Sequence, residues 1–250
     1  MKIQLIRNAA LWLEYGGNTF LVDPMLSEKG ANPPIVNTAN DRRNPLVSLP
    51  GPVQQWLAPD AVLVTHLHQD HWDAAAVSLL PHDLPLLCQE GNQEQIAGQG
   101  FSHITAVPDL QPLVFQGVTL TRIGGQHGTG EIGERMGKVS GFIFRAEGEP
   151  VLYLAGDTIW CEEVEQALGE HNPEIVIVNA GGARFVTGGH ITMDEQDVVE
   201  VCRHAPEASV IAVHMEAINH CLVTRELLRD RLEQENLLKR VAVPQDGEWC

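Results

Sequence analysis

The sequence predicts an α/β fold, a four-layer αββα sandwich of two mixed β-sheets flanked by helices. Two observations predict it. Short apolar runs with strand character alternate with helical stretches, and this plan occurs in both halves of the chain. In each half an apolar strand also ends in an aspartate, with Phe20-Leu21-Val22-Asp23 in the first half and Leu152-Tyr153-Leu154-Ala155-Gly156-Asp157 in the second.

Length and composition narrow the class of protein. At 250 residues the chain can bury the core of one layered domain, so we expect a single domain over residues 1–250. A formal net charge of −17 disfavours long nucleic acids and anionic membrane surfaces as partners. These features predict a small-molecule substrate and leave a homo-oligomer open.

Cysteine usage and the N-terminal residues predict a cytoplasmic location. The five cysteines are scattered without paired spacing, which is typical of reduced thiols. Lys2 and Arg7 place charges inside what would have to be the apolar core of a signal peptide. No window approaches the roughly 18 apolar residues of a membrane span.

The first half begins as a β-meander. Strands are predicted at 3–6, 11–15 and 19–22, with Gly16-Gly17-Asn18 as a hairpin turn. From Met25 to Pro52 the chain is rich in Pro, Asn and Gly, and such a long irregular segment predicts a functional lid at about 25–52. A strand at 61–64, a helix capped by Asp73, a strand at 86–88 and a helix at 93–97 follow.

The second half repeats the plan. Strands are predicted at 118–123, 140–145, 151–155, 175–178, 210–213 and 240–243. Helices are predicted around 162–168, over 194–202 and after Thr224. Thr224 is a plausible N-cap, and Thr192 or Asp194 caps the helix before it.

The most informative segment directly follows the strand at 61–64. It places His66, His68, Asp70 and His71 within six residues. Alternate residues of a strand share a face, so His66 and His68 can hold one ion, while Asp70 and His71 reach a second ion after the chain turns. Imidazole and carboxylate suit zinc, with manganese and then iron as competitors. Four ligands are too many for one open catalytic ion, which predicts two divalent metal ions.

Three further candidates follow strands later in the chain. His127 lies in the glycine-rich stretch 124–130, where the backbone can pass close to an ion. Asp157 follows the strand at 151–155, and His214 follows the strand at 210–213. Each is weak evidence alone, but their order after the six-residue cluster is informative.

The order His-x-His-x-Asp-His, then His, Asp and His, resembles the metallo-β-lactamase superfamily, and the likeness covers residues 23 to 214. The resemblance implies the metallo-β-lactamase fold and a first metal on His66, His68 and His127. It implies a second metal on Asp70, His71 and His214, with Asp157 bridging both. Asp23 resembles the strand-end aspartate that orients a ligand imidazole.

A dinuclear site of this kind predicts hydrolysis by a metal-bridging hydroxide. Asp70 is expected to orient that nucleophile, and His190, in a glycine-flanked loop, is expected to contact substrate or donate a proton. Arg42 and Arg43 are candidate contacts for an anionic substrate, and Asn179 is a further candidate at a strand end.

A looser resemblance, through the chain's length, its N-terminal meander and the loop 191–193, is to the branch that contains ascorbate-phosphate lactonase and the phospholipase that cleaves N-acyl-phosphatidylethanolamine. It favours a lactone or phosphoester of a small, anionic metabolite. The alternatives are a cyclic-nucleotide or other phosphodiesterase, iron-dependent oxidation of a sulfur compound, and a metal-binding sensor without turnover.

Overall fold

The computed structural model describes residues 1–250, and its strands form two mixed sheets. The first sheet has six strands in chain order. They are β1 (Lys2–Arg7), β2 (Ala10–Tyr15), β3 (Asn18–Val22), β4 (Ala61–Val64), β5 (Leu86–Gln89) and β6 (Ile104–Val107). The first three strands form an antiparallel meander, and β3 to β6 run parallel.

The second sheet has seven strands, again adjacent in chain order. They are β7 (Pro112–Phe115), β8 (Val118–Ile123), β9 (Gly141–Arg145), β10 (Leu152–Leu154), β11 (Ile175–Asn179), β12 (Ser209–Val213) and β13 (Val241–Ala242). Strands β7 to β10 are antiparallel and β10 to β13 are parallel. Because β8 and β10 both oppose β9, their carboxyl ends lie at the same edge of the sheet.

Six α-helices lie outside the sheets. They are α1 (Ala74–Leu79), α2 (Gln93–Gly98), α3 (Gly130–Met136), α4 (Glu162–His171), α5 (Glu195–His204) and α6 (Arg225–Gln234). A short 3₁₀ helix spans Val53–Trp56. None of the helices combines the length and the apolar character needed to cross a lipid bilayer.

Three apolar clusters define the four layers. One draws buried side chains from the facing surfaces of both sheets, including Phe20, Leu63, Phe144 and Ile211. A second joins the outer face of the second sheet to α4, α5 and α6, and a third joins the outer face of the first sheet to α1 and α2. Burial of these faces stabilises the stack at about 25 cal/mol per Å² of apolar surface. The predicted αββα sandwich is confirmed.

Most of the predicted elements are confirmed to within a few residues, whereas β6, β7 and α3 were missed. Strand β7 lies at the sheet edge with alternating exposed and half-buried residues, and β6 is only partly buried. Helix α3 has no buried residue and contains Gly133. Elements with so little apolar burial leave weak periodicity in a sequence.

Side-chain caps begin three of the helices. Asp73 accepts from the backbone N–H of Ala76, as predicted for α1. Asp194 caps α5 by accepting from Gln196 and Asp197, while Thr192 instead accepts from the N–H of Ala183. The predicted Thr224 cap of α6 is confirmed. Each such cap contributes about 1 kcal/mol.

Two buried polar side chains hold the irregular segment that was predicted to be lid-like. The guanidinium of Arg7 donates to the carbonyls of Met25, Ser27 and Val47. The side chain of Asn219 exchanges hydrogen bonds with Ile35, Thr38, Asn40 and Asn44. This network joins residues 35–44 to the loop that follows β12.

Candidate metal centre

The His-Asp motif lies in the loop that begins where β4 ends. His66, His68, Asp70 and His71 all follow Val64, so the loop's turns, and not alternation along a strand, bring them together. The turn is stabilised by hydrogen bonds from the N–H groups of His71 and Trp72 to the carbonyl of His68. The other candidate residues come from strand ends of the second sheet, and the facing edges of the sheets form the site.

One group of side chains contains only imidazoles. His66, His68 and His127 place ring nitrogens within 4.8 Å of one another. His66 Nε2 lies 2.9 Å from His68 Nδ1. His66 and His127 are buried and His68 is half-buried. Three converging imidazoles can hold one divalent ion and leave a position open.

A second group combines two imidazoles with two carboxylates: Asp70, His71, Asp157 and His214. His71 Nε2 lies 3.1 Å from His214 Nε2, and His214 Nε2 lies 3.2 Å from Asp70 Oδ2. All four side chains are buried.

Asp157 lies between the two groups. Its Oδ2 is 3.1 Å from His71 Nε2, 3.6 Å from His127 Nε2 and 3.8 Å from His66 Nε2. Its Oδ1 accepts a hydrogen bond of 2.6 Å from Asn179 Nδ2, which fixes the carboxylate plane. One carboxylate therefore touches imidazoles of both groups.

Asp23 and Thr65 fix two of the rings. Thr65 donates its hydroxyl hydrogen to Asp23 Oδ2 at 2.7 Å, so its oxygen accepts from His66 Nδ1 at 3.1 Å. Asp23 Oδ2 also accepts from His71 Nδ1 at 2.8 Å. Both rings therefore direct Nε2 toward the centre. This is how metal-ligating histidines are oriented, and it is the role that the resemblance implied for Asp23.

Two other partners act on the rings of His127 and His214. The backbone carbonyl of Ile191 accepts from His127 Nδ1 at 2.7 Å. The thiol sulfur of Cys221 lies 3.4 Å from His214 Nδ1. In these rings too, Nε2 is the nitrogen that faces the ligand groups.

The first group is electrically neutral at pH 7. Burial is the main cause that lowers the pKa of His66, His68 and His127, in the last case to about 4. Each neutral imidazole offers one nitrogen lone pair, which a divalent cation can accept as a ligand.

The second group instead attracts positive charge. Burial lowers the pKa of His71, but the carboxylates of Asp157, Asp23 and Asp70 outweigh it and raise that pKa to about 10. The pKa of His214 is raised for a similar reason, chiefly by Asp157 against the effect of burial. Buried carboxylates require a compensating charge, which a divalent cation supplies. The donor set of both groups fits metal ions.

Two residues of the site have left-handed backbone conformations. Asp23 has φ of 43° and His214 has φ of 62°. Residues other than glycine adopt this region rarely and at a cost, and such strain concentrates at functional sites. Asn8, also left-handed, accepts from the N–H of His214 through its carbonyl and donates from its side chain to the Asp70 carbonyl.

The residues predicted to bind an anionic substrate are used elsewhere or exposed. The guanidinium of Arg43 donates to the carbonyls of Gly30 and Ala31. Arg42 is exposed, and its side chain forms no hydrogen bond. Asn179 positions Asp157, as described above.

His190 is engaged with carboxylates at both ring nitrogens. Nδ1 lies 3.3 Å from Asp194, and Nε2 lies 2.9 Å from Asp197. Asp194 caps α5, and Asp197 also accepts from the N–H of Trp160. His190 therefore ties its loop to α5, and the next residue, Ile191, holds His127.

Sequence reasoning missed His220 and Cys221 beside the second group. They follow β12 at some distance from any motif, so spacing along the chain carried no signal. Burial lowers the pKa of His220, but Cys221 and Asp70 raise it on balance. Burial raises the pKa of the Cys221 thiol, but His214 and His220 bring it down to about 7.

An apolar cluster borders the ligand groups. Its members come from the irregular segment, α3, the loop before α5 and the loop after β12: Met25, Ile35, Ile132, Met136, Ala183, Phe185, Ile191, Ile218 and Cys221. It touches the site at three points. Ile191 bonds His127, Cys221 contacts His214, and Ile218 lines a small cavity with Asp70.

A family model described as a beta-lactamase superfamily domain matches residues 18–215. UPF0173 protein YddR of Bacillus subtilis is 40% identical over 252 aligned residues, which cover 99% of this chain and 98% of the relative.

Two solved structures are similar over the whole chain. The isothiocyanate hydrolase from Delia radicum gut bacteria has a TM-score of 0.95 and 39% sequence identity, covering 100% of this chain and 98% of that one. A protein from Veillonella parvula, described as a possible metal-dependent hydrolase, has a TM-score of 0.96 and 37% identity with the same coverage.

Proposed function

This chain belongs to the beta-lactamase superfamily, as a metal-dependent hydrolase with candidate His and Asp ligands, and we propose that it hydrolyses small isothiocyanates, R–N=C=S. The observation that carries the proposal is the apolar cluster against the ligand groups, which suits an uncharged substrate with an apolar body. The whole-chain similarity to an isothiocyanate hydrolase supports it.

The ligand assignment follows the one that the resemblance implied. His66, His68 and His127 would hold one ion, Asp70, His71 and His214 would hold a second, and Asp157 would serve both. Imidazole nitrogen with carboxylate oxygen favours zinc over manganese and iron. When bound, two divalent ions would activate water near neutral pH and stabilise negative charge that develops on the substrate.

The proposed reaction consumes one water molecule for each isothiocyanate. Its oxygen adds to the central carbon of R–N=C=S, the carbon–nitrogen bond breaks, and both water hydrogens end on nitrogen. The products are the amine R–NH₂ and carbonyl sulfide. Asp70, which is buried with Oδ2 on the ligand side, can accept a proton from the water. The apolar cluster excludes bulk water from the R group.

An anionic lactone or phosphoester, which the sequence favoured, receives less support. Arg43 donates to two backbone carbonyls and Arg42 is exposed, so no hydrogen bond holds either guanidinium at the ligand groups. The lactone and phosphoester remain predictions and belong in the same assay.

The test is turnover by the purified, zinc-loaded protein. We expect benzyl isothiocyanate to yield benzylamine and carbonyl sulfide in equal amounts, with about two zinc ions per chain by elemental analysis. A panel containing a sugar-phosphate lactone, a cyclic nucleotide and a generic phosphodiester runs in parallel. Turnover of one of those compounds, with none of the isothiocyanate, would contradict the proposal. A single bound iron would favour the oxidation alternative, and bound metal without any turnover would favour the sensor.

A further inference from the structure

His220 is a buried histidine beside the ligand groups. It lies outside the His-Asp motif and has no role so far in the proposed reaction. It is 7% exposed. Its backbone is held on both sides, because its carbonyl accepts from the N–H of Arg184 and its neighbour Asn219 is fastened to the irregular segment. The Phe185 ring lies 6.3 Å from the His220 ring, between centroids. The imidazole is thus fixed at the edge of the apolar cluster.

The two ring nitrogens of His220 have different surroundings. Nδ1 faces the Cys221 sulfur at 4.0 Å, and that sulfur lies 3.4 Å from His214 Nδ1. Nε2 has no hydrogen-bond partner in the protein, yet it is not among the polar atoms sealed from solvent. Against the effect of burial, Cys221 and then Asp70 raise the pKa of His220, while burial and, to a smaller extent, His220 lower the pKa of His68.

His190, predicted to be the substrate-contacting histidine, offers no such nitrogen. Both of its ring nitrogens face carboxylates, Asp194 and Asp197. A histidine that contacts substrate needs a free donor or acceptor near the reacting atoms. Of these two histidines, only His220 has a ring nitrogen without a partner in the protein, and it lies one residue from Cys221, which contacts His214.

We infer that His220 contacts the substrate directly and that its Nε2–H donates a hydrogen bond to the isothiocyanate nitrogen, the atom that leaves as amine. This rests on the proposed function. The hydrogen bond stabilises the charge that develops on nitrogen as water adds to the central carbon, and the protons that complete the amine come from that water. Phe185 and the apolar cluster hold the R group on the same side.

The test compares variants that preserve one ring nitrogen at a time. Glutamine places an amide nitrogen near the position of Nε2, and asparagine places one near Nδ1. We expect His220→Ala to lower kcat by about 10²- to 10³-fold, as removal of one donor to a developing charge does. His220→Gln should restore kcat to within about tenfold of wild type, and His220→Asn should not. His103→Ala, at an exposed histidine before β6, is the matched control and should retain kcat.

Zinc content and folding separate a substrate contact from a structural role. All four variants should keep the zinc content and circular dichroism of wild type. If His220→Ala loses zinc, or if asparagine restores kcat and glutamine does not, the ring acts through Cys221 on His214 and the inference is wrong. An unchanged kcat in His220→Ala would also overturn it.

A binding measurement keeps the inference independent of turnover. Thiocyanate carries the same linear N–C–S group and can be titrated into the zinc-loaded protein by calorimetry. Loss of one hydrogen bond should weaken its binding about tenfold in His220→Ala, and the control His103→Ala should bind like wild type. If wild type hydrolyses no isothiocyanate but shows this difference, the proposed function fails and the contact stands. Equal thiocyanate affinity in wild type and His220→Ala overturns the contact.

Discussion

The two ligand groups are built from different chemistry although they share Asp157. The first, His66, His68 and His127, is neutral, and part of it reaches solvent through the half-buried His68. The second is more deeply buried and contains two carboxylates, which attract positive charge. Because carboxylates neutralise a bound cation and neutral imidazoles do not, the second group should hold its ion more tightly.

The supports of the two groups differ as well. A buried side chain, Asp23, orients His71, whereas a backbone carbonyl, that of Ile191, orients His127. A substitution can remove the Asp23 carboxylate and leave the backbone in place. The position of the Ile191 carbonyl instead depends on the backbone of its loop, which His190 connects to α5. Variants can therefore test the two groups separately.

The largest effect is expected from removing the residue that joins the groups. Asp157→Ala should lose both ions and lower turnover by more than about 10³-fold, because the metal site supplies several kcal/mol of transition-state stabilisation. Elemental analysis and kinetics check it. Asp83→Ala, at an exposed aspartate between α1 and β5, is the control and should match wild type. Retention of both ions in Asp157→Ala would show that this carboxylate is not shared.

Removing the half-buried imidazole of the first group should separate the two groups. His68→Ala is expected to lose one ion, keep the second and reduce turnover by about 10²-fold or more, with folding retained. The measurement is metal content together with kcat. His103→Ala, an exposed histidine before β6, serves as control. Loss of both ions would mean that the groups do not bind independently.

The pH dependence of metal binding should differ between the groups. A proton bound to His71, whose pKa is raised to about 10, must leave when a cation takes Nε2, so the affinity of the second group should rise with pH below 10. The expected slope is about tenfold per pH unit for each proton displaced. His127, with a pKa near 4, is already unprotonated at pH 6 to 8, so the first group should show little change. Calorimetry in buffers of different ionisation enthalpy counts the protons released, and equal release from both groups would refute the comparison.

The smallest change removes only an orienting partner. Asp23→Asn keeps the size of the side chain but weakens the acceptor of His71 and Thr65, so the affinity of the second group should fall about 10- to 100-fold. The metal affinity of the first group should fall less, because Asp23 is linked to that group only through Thr65. Chelator competition with each ion measures both affinities. Equal losses in the two groups would show that Asp23 supports the loop as a whole.

The sequence alone determined what depends on neighbouring residues. Apolar runs predicted β4 and β8 with their observed bounds, and short polar side chains predicted the caps at Asp73 and Thr224. The six-residue spacing of the motif identified a metal site, because those residue types so close together have few other uses. These features are local, so they can be recognised in a short stretch of chain.

Only the tertiary structure decided which distant side chains face the site. His190 and His220 both lie in loops after strands of the second sheet. The carboxylates of Asp194 and Asp197 contact both ring nitrogens of His190, whereas one ring nitrogen of His220 has no partner. From the sequence, Arg43 was predicted to contact an anionic substrate. In the structure its guanidinium donates to two backbone carbonyls. Partners such as Asn219 and Thr38 are 181 residues apart in the chain. Such pairings depend on the packing of the two sheets, and local sequence patterns do not contain it.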